Sequence, residues 1–169
     1  MTASPTRYAY VGPPELRDRA RGEPGAVIDT AAALERWLSA DSDAGRESLT
    51  YVVDLQGRLR VAPRRSEHID CAGGDAVLAA GELRFARGAD RRLVVREVSN
   101  QSTGYCPDPD CWPAVAAALT AAGIDHPPGF TLAFVFRRCP ACAQINLVKD
   151  EWFACAVCDA ELPRAWNFA

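Results

Sequence analysis

Lysine is almost missing from this 169-residue chain: Lys149 stands alone against 18 arginines. Methionine occurs once and histidine twice. With 30 alanines beside the arginines, genome composition accounts for this skew better than mechanism does. Also absent is any basic excess, since the formal net charge is −3 and the pI about 5.4. A protein whose main task is to coat nucleic acid normally carries one. No apolar run approaches the roughly 18 residues of a membrane helix, so no membrane partner is expected. The opening MTASPTRYAYVGPPELRDRA has no basic stretch followed by an apolar one, so no secretory signal is expected. Apolar residues make up 49% and charged residues 24%, which excludes wholesale disorder. The length suits one domain with a small appendage. What the chain does have is cysteine, seven of them. An odd count with no export signal argues against a disulfide scaffold and for metal binding or buried thiols in a reducing cytoplasm.

The pattern along the chain predicts an α+β fold, mainly antiparallel β with two short helices. Tyr8 to Val11 reads as a short strand stopped by Gly12-Pro13-Pro14. Asp29 or Thr30 can cap a helix over 31–40 whose apolar stripe is Leu34, Trp37 and Leu38, and Asp41 to Gly45 ends it. Leu49 to Leu55 and Arg58 to Ala62 flank Gln56-Gly57 and predict a hairpin. Val77 to Phe85 and Leu93 to Val98 predict a second, from the period-two spacing of Leu83/Phe85 and Val94/Arg96/Val98. A helix over 112–122 has Asp110 as candidate cap, Pro113 in its first turn and Gly123 as its stop. Asp125 to Gly129 is a break. It divides the chain into a body, 1–129, and a C-terminal unit, 130–169. The aromatics Trp166 and Phe168 predict that the final segment docks on the body.

The strongest chemical signal lies in the C-terminal unit: Cys139-Pro-Ala-Cys142, twelve residues, then Cys155-Ala-Val-Cys158. Each short pair makes a knuckle that sets two sulfurs on one side. Two facing knuckles offer four thiolates in a tetrahedron, the set that one structural Zn²⁺ accepts. The intervening AQINLVKDEWFA predicts a hairpin of its own, Ile145 to Val148 against Trp152-Phe153, with a turn at Lys149 to Glu151. Over 134–163 the chain resembles a zinc ribbon. A closed set of four sulfurs leaves no position for water, so the site reads as structural and not catalytic. Iron in a rubredoxin-like site and a redox-active Cys-x-x-Cys are the alternatives. Glycine often follows the second cysteine of such knuckles, where the backbone needs a positive φ; here Ala143 and Asp159 hold those places. Four thiolates and one Zn²⁺ add a further −2 and take −3 to about −5. Near the cysteines Arg137, Arg138, Lys149 and Arg164 face Asp150, Glu151, Asp159 and Glu161. That mix is a weak phosphate surface, so a protein partner is favoured over nucleic acid.

Cys71, Cys106 and Cys111 remain. With His68 they allow a second metal site, and buried thiols are the alternative. Two polar stretches following predicted strands suit ligand binding. One is Arg64 to His68 with Ala72-Gly73-Gly74 and Ala79-Ala80-Gly81-Glu82; the other is Asn100 to Tyr105. Arg65 and His68 can meet an anionic group while Asn100, Gln101, Ser102 and Tyr105 supply hydrogen bonds. The alternative is a polar network that fastens the two hairpins. Residues 64–107, through the basic-Ser-His, AGG, AAGE and Ser-x-Gly-Tyr elements, resemble a module of uncharacterised bacterial proteins. It also occurs in plant calmodulin-binding IQ-motif proteins. The resemblance implies no biochemical activity, nor calmodulin binding, because no basic IQ-type helix is present. Two function classes follow. The first is a non-enzymatic, cytoplasmic zinc-binding protein that contacts another protein. The second is an enzyme or small-ligand binder with a cleft between Arg65/His68 and Asn100–Tyr105. A nucleic-acid-binding ribbon is a third.

Overall fold

Thr30 starts the first long helix. Its hydroxyl accepts the Ala33 N–H at 3.0 Å, the bond an N-cap supplies, and α2 (Ala31–Ala40) buries Leu34 from its apolar stripe. In a computed structural model of the chain, residues 4–20, 23–41 and 47–169 are described. The predicted helix stop over 41–45 lies mostly outside them.

The two predicted hairpins form, and they join into one sheet. β2 (Leu49–Val53) and β3 (Leu59–Ala62) turn through Gly57, which takes φ +77°. β4 (Ala79–Arg87) and β5 (Leu93–Val98) pair with a register shift at Arg84/Phe85. With β1 (Ala26–Ile28) the order is β1-β3-β2-β4-β5, antiparallel throughout. β2 is the centre, and all five of its residues are buried. Tyr51 is fully enclosed there, and its hydroxyl donates to the Ser99 carbonyl at 2.8 Å. The helix α4 (Trp112–Ala121) packs across β2, β3 and β4 through Val115, Ala118 and Leu119, and Gly123 at φ +70° closes it. Its cap differs from expectation. Asp108 accepts the Asp110 N–H and starts a 3₁₀ turn, Pro109–Cys111, that leads into the helix.

Two short helices carry no long amphipathic stripe and were not expected: α1 (Pro14–Arg19) and α3 (His68–Cys71). The predicted strand at Tyr8 to Val11 reduces to one antiparallel bridge, Tyr8 with Val77.

The segment 125–132 does not leave the body. Val95 donates to the Asp125 carbonyl and Thr131 to that of Val98, so the chain runs parallel to the outer edge of β5. The expected boundary at 129 falls inside this stretch. Beyond it come β6 (Val135–Arg138) and β7 (Ile145–Val148), an antiparallel pair. Here the prediction is corrected. β7 pairs with β6, across the first Cys-x-x-Cys, and not with Trp152-Phe153. The latter segment pairs across the second Cys-x-x-Cys, through the Ala154–Glu161 bridge and the Leu162 N–H to Phe153 carbonyl bond. A reversal forms around each cysteine pair because the knuckle is itself the turn.

The final segment docks as expected. The Trp166 ring meets Tyr8 edge-on at 5.2 Å, and its indole N–H donates to the Cys106 carbonyl at 2.8 Å. Asn167 bonds both backbone groups of Arg138, accepting from its N–H and donating to its carbonyl.

Candidate metal centre

The two knuckles have the same backbone design. Cys139 N–H donates to the Gln144 carbonyl, and Ala143 N–H returns to the Cys139 carbonyl. Cys155 and Ala160, then Asp159 and Cys155, repeat the pattern. In both, the residue after the second cysteine sits in the left-handed region, Ala143 at φ 62° and Asp159 at φ 60°. The expected need for a positive φ is met without glycine. The left-handed conformation costs about 1 kcal/mol or more for a side chain with a Cβ, and less for Asp than for Ala.

The four sulfurs come together. Cys139, Cys142, Cys155 and Cys158 place Sγ atoms within 4.8 Å of one another. Across the knuckles Cys139 lies 3.5 Å from Cys158 and Cys142 lies 3.6 Å from Cys155. A tetrahedron of sulfurs about 2.3 Å from a central zinc has edges of about 3.8 Å, so the donor set and spacing fit that ion. Cys139 and Cys155 are buried while Cys142 and Cys158 are exposed.

Electrostatics gives the cluster a need for a cation. Backbone N–H groups, that of Cys142 first, hold the Cys139 thiol below its usual range. The Val157 N–H leads a similar set that holds Cys155 at about 6. At Cys142 and Cys158 the N–H groups of Gln144 and Ala160 pull the same way. At Cys142 desolvation with the Cys155 and Cys139 sulfurs overcomes them, and at Cys158 the Cys139 and Cys142 sulfurs do, so both thiols are pushed up, Cys158 to about 12. Four sulfurs this close cannot all be thiolates without a positive ion among them.

Asn146 holds the two knuckles in register. From β7 its amide donates to Cys155 Sγ at 3.5 Å and its carbonyl accepts the Ala156 N–H at 2.9 Å. Buried Asn in the middle of a strand is unusual, and that oddity was the available signal for its role. The nearby arginines contact the unit itself. Arg137 is 6% exposed; it donates to the carbonyls of Phe136, Pro163 and Arg164 and meets Asp108 at 3.4 Å. Arg138 lies over the Phe168 ring and Arg164 over Phe153.

The other three cysteines do not join a metal group. Among the described residues, the four-cysteine cluster is the one set of three or more His, Cys, Asp or Glu within ligating reach of each other. Cys71, Cys106 and Cys111 are buried, and burial pushes each thiol up to about 12, far from the reactive range.

The two polar stretches meet, at the backbone of Gly81. His68 Nε2–H donates to the Gly81 carbonyl at 2.9 Å, and burial holds its imidazole below the usual histidine range. On the other side the Ser99 carbonyl presses so near that a Cβ on Gly81 would lie 1.9 Å from it. The glycine admits another backbone here. Asn100, fully buried, exchanges two bonds with the Phe134 backbone and donates to the Pro107 carbonyl. Ser102 accepts the Tyr105 N–H, and the Tyr105 hydroxyl donates to the Asp75 carbonyl. The polar atoms of these residues are engaged in holding loops. Arg65 is exposed on the turn before α3, and Gln101 lines a cleft.

No helix of the described residues is long and apolar enough to cross a membrane. No family model matches the chain, and no curated protein or solved structure matches it. The resemblance of residues 64–107 to the IQ-protein module, and that of 134–163 to zinc ribbons, therefore rest on the residues alone.

Proposed function

We propose that this chain is a non-enzymatic zinc-binding protein. Its C-terminal ribbon is a structural clip, and it contacts a protein partner in a regulatory role. The observation that carries the zinc reading is the closed set of four sulfurs within 4.8 Å. A bound Zn²⁺ would tie the two knuckles together, with no coordination position left for water or substrate. Thiolate ligands and unpaired cysteines belong in a reducing compartment, so the cytoplasm is the proposed location.

The protein-contact reading draws on the surface of the same unit. Trp152 is 74% exposed and Val157 67% exposed, and they offer apolar side chains to a partner. Asp150, Glu151, Asp159 and Glu161 accompany them. The complementary partner presents an apolar hollow with a basic rim. The acidic charge works against nucleic acid.

Elemental analysis and native mass spectrometry of the purified protein test the zinc reading. One zinc per chain is expected, lost in Cys142→Ser and Cys155→Ser. A metal-free chain whose amide spectrum ignores a strong chelator, or one loaded with iron, would sink it.

A further inference from the structure

A second cleft lies away from the cysteines, at the outer strands of the sheet. Glu82, the last residue of Ala79-Ala80-Gly81-Glu82, and Arg84 alternate with the buried Leu83 along β4. Glu97 of β5 stands opposite Arg84 in register and meets it at 3.7 Å. Ser48, Gln101, Thr131 and the apolar Leu132 join Glu82 around a cleft of about 370 Å³. That volume accommodates a small molecule or a side chain.

The charges in this cleft do not cancel. Arg84 and Glu97 answer each other, and the neighbouring His68 is bonded to the Gly81 carbonyl and held by burial below the usual histidine range, which leaves the half-buried carboxylate of Glu82 with no ion-pair partner among the described residues. Other polar groups are engaged. The Thr131 hydroxyl bonds both the N–H and the carbonyl of Val98, and the Ser99 hydroxyl accepts from the N–H groups of Glu82 and Gln101. What remains is a carboxylate, the amide of Gln101 and the hydroxyl of Ser48. All three can accept a hydrogen bond, and Leu132, 58% exposed, is an apolar wall beside them. Several acceptors around one negative charge suit a cation with several N–H donors on an aliphatic stem.

We infer that this cleft binds an alkylguanidinium or alkylammonium group, with Glu82 as its counter-ion, Gln101 as a further acceptor and Leu132 against the stem. The inference is independent of the metal reading, because the cleft lies on β4, β5 and the segment beside β5, ahead of β6 and the four cysteines.

The test titrates the full-length protein with butylguanidinium, with its neutral isostere butylurea, and with a capped Ala-Arg-Ala peptide. Amide NMR shifts are the readout. Butylguanidinium is expected to shift Glu82, Gln101 and Leu132 saturably in the millimolar range, and butylurea is not. Glu82→Gln should weaken binding about tenfold, as loss of a charge-assisted bond does. Arg36→Ala, on the exposed side of α2, should not change it. A peptide binding more tightly than butylguanidinium assigns the natural group to an arginine side chain; the reverse order assigns it to a free small molecule. Equal binding of butylurea, or an unchanged affinity in a folded Glu82→Gln variant, overturns the inference.

Discussion

The sheet body and the cysteine unit are held together in opposite ways. In the body, 28 described apolar residues form one buried cluster. In the cysteine unit the equivalent cluster is Cys139, Cys155 and Leu162, with Val148, Phe153 and Ala160 at its margin. Burial of apolar surface is the main favourable term in folding, and nearly all of it lies in the body. In the cysteine unit, with a core this small, a metal held by the four sulfurs would put coordination in the place of buried area.

Metal removal should separate the two regions most. On the proposed zinc reading, a chelator withdraws about 10–16 kcal/mol of metal-coupled folding from so small a core and should abolish amide protection over 135–162. β2 to β4 should stay protected. Hydrogen exchange read by mass spectrometry checks this, and simultaneous loss in both regions would break the contrast. Gly81→Ala strikes the other side. A Cβ set 1.9 Å from the Ser99 carbonyl has nowhere to go, so we expect about 3 kcal/mol or more of destabilisation of the body. Urea unfolding measures it, and zinc content should not change.

A smaller effect sharpens the comparison within the cysteine unit. Ala143→Gly relieves a left-handed alanine and should tighten metal retention by about 1 kcal/mol, roughly fivefold in competition with a chelator. Asp159→Gly should do less, since Asp tolerates that region better. The smallest expected effect is a pH slope in the body. The His68 imidazole is held down by burial, so on acidification the unfolded chain takes up the proton before the folded one does. The stability it confers is complete above about pH 6.5 and declines as pH falls below it. Unfolding midpoints at about pH 7.5 and about pH 5.5 should differ less in His68→Gln than in the parent chain.

Legibility in the sequence followed the same division. Period-two spacing and Gln56-Gly57 foretold both hairpins of the sheet, and Thr30 was one of two caps named for α2. Cysteine spacing foretold the cluster and its two positive-φ residues, because knuckle geometry is local. What was not legible depends on contacts between distant segments. The pairing of β7 with β6 crosses the first knuckle, and short α1 and α3 have no stripe to display. Asn100, Ser102 and Tyr105 carry polar atoms that suit a ligand as well as a backbone carbonyl. Only the fold shows that Asn100 bonds Phe134 and Pro107, that Ser102 accepts the Tyr105 N–H, and that Tyr105 donates to Asp75.

Asn167 has a role beyond docking. Its carboxamide offers Arg138 one acceptor and one donor, the same pair a neighbouring strand would offer. A side chain thus imitates a peptide group and blunts the outer rim of β6, where an unpaired ladder invites strands from other molecules. The Arg138 end of that rim is thereby closed by a single amide. Its replacement by leucine would fill similar space and leave that rim open to a neighbour.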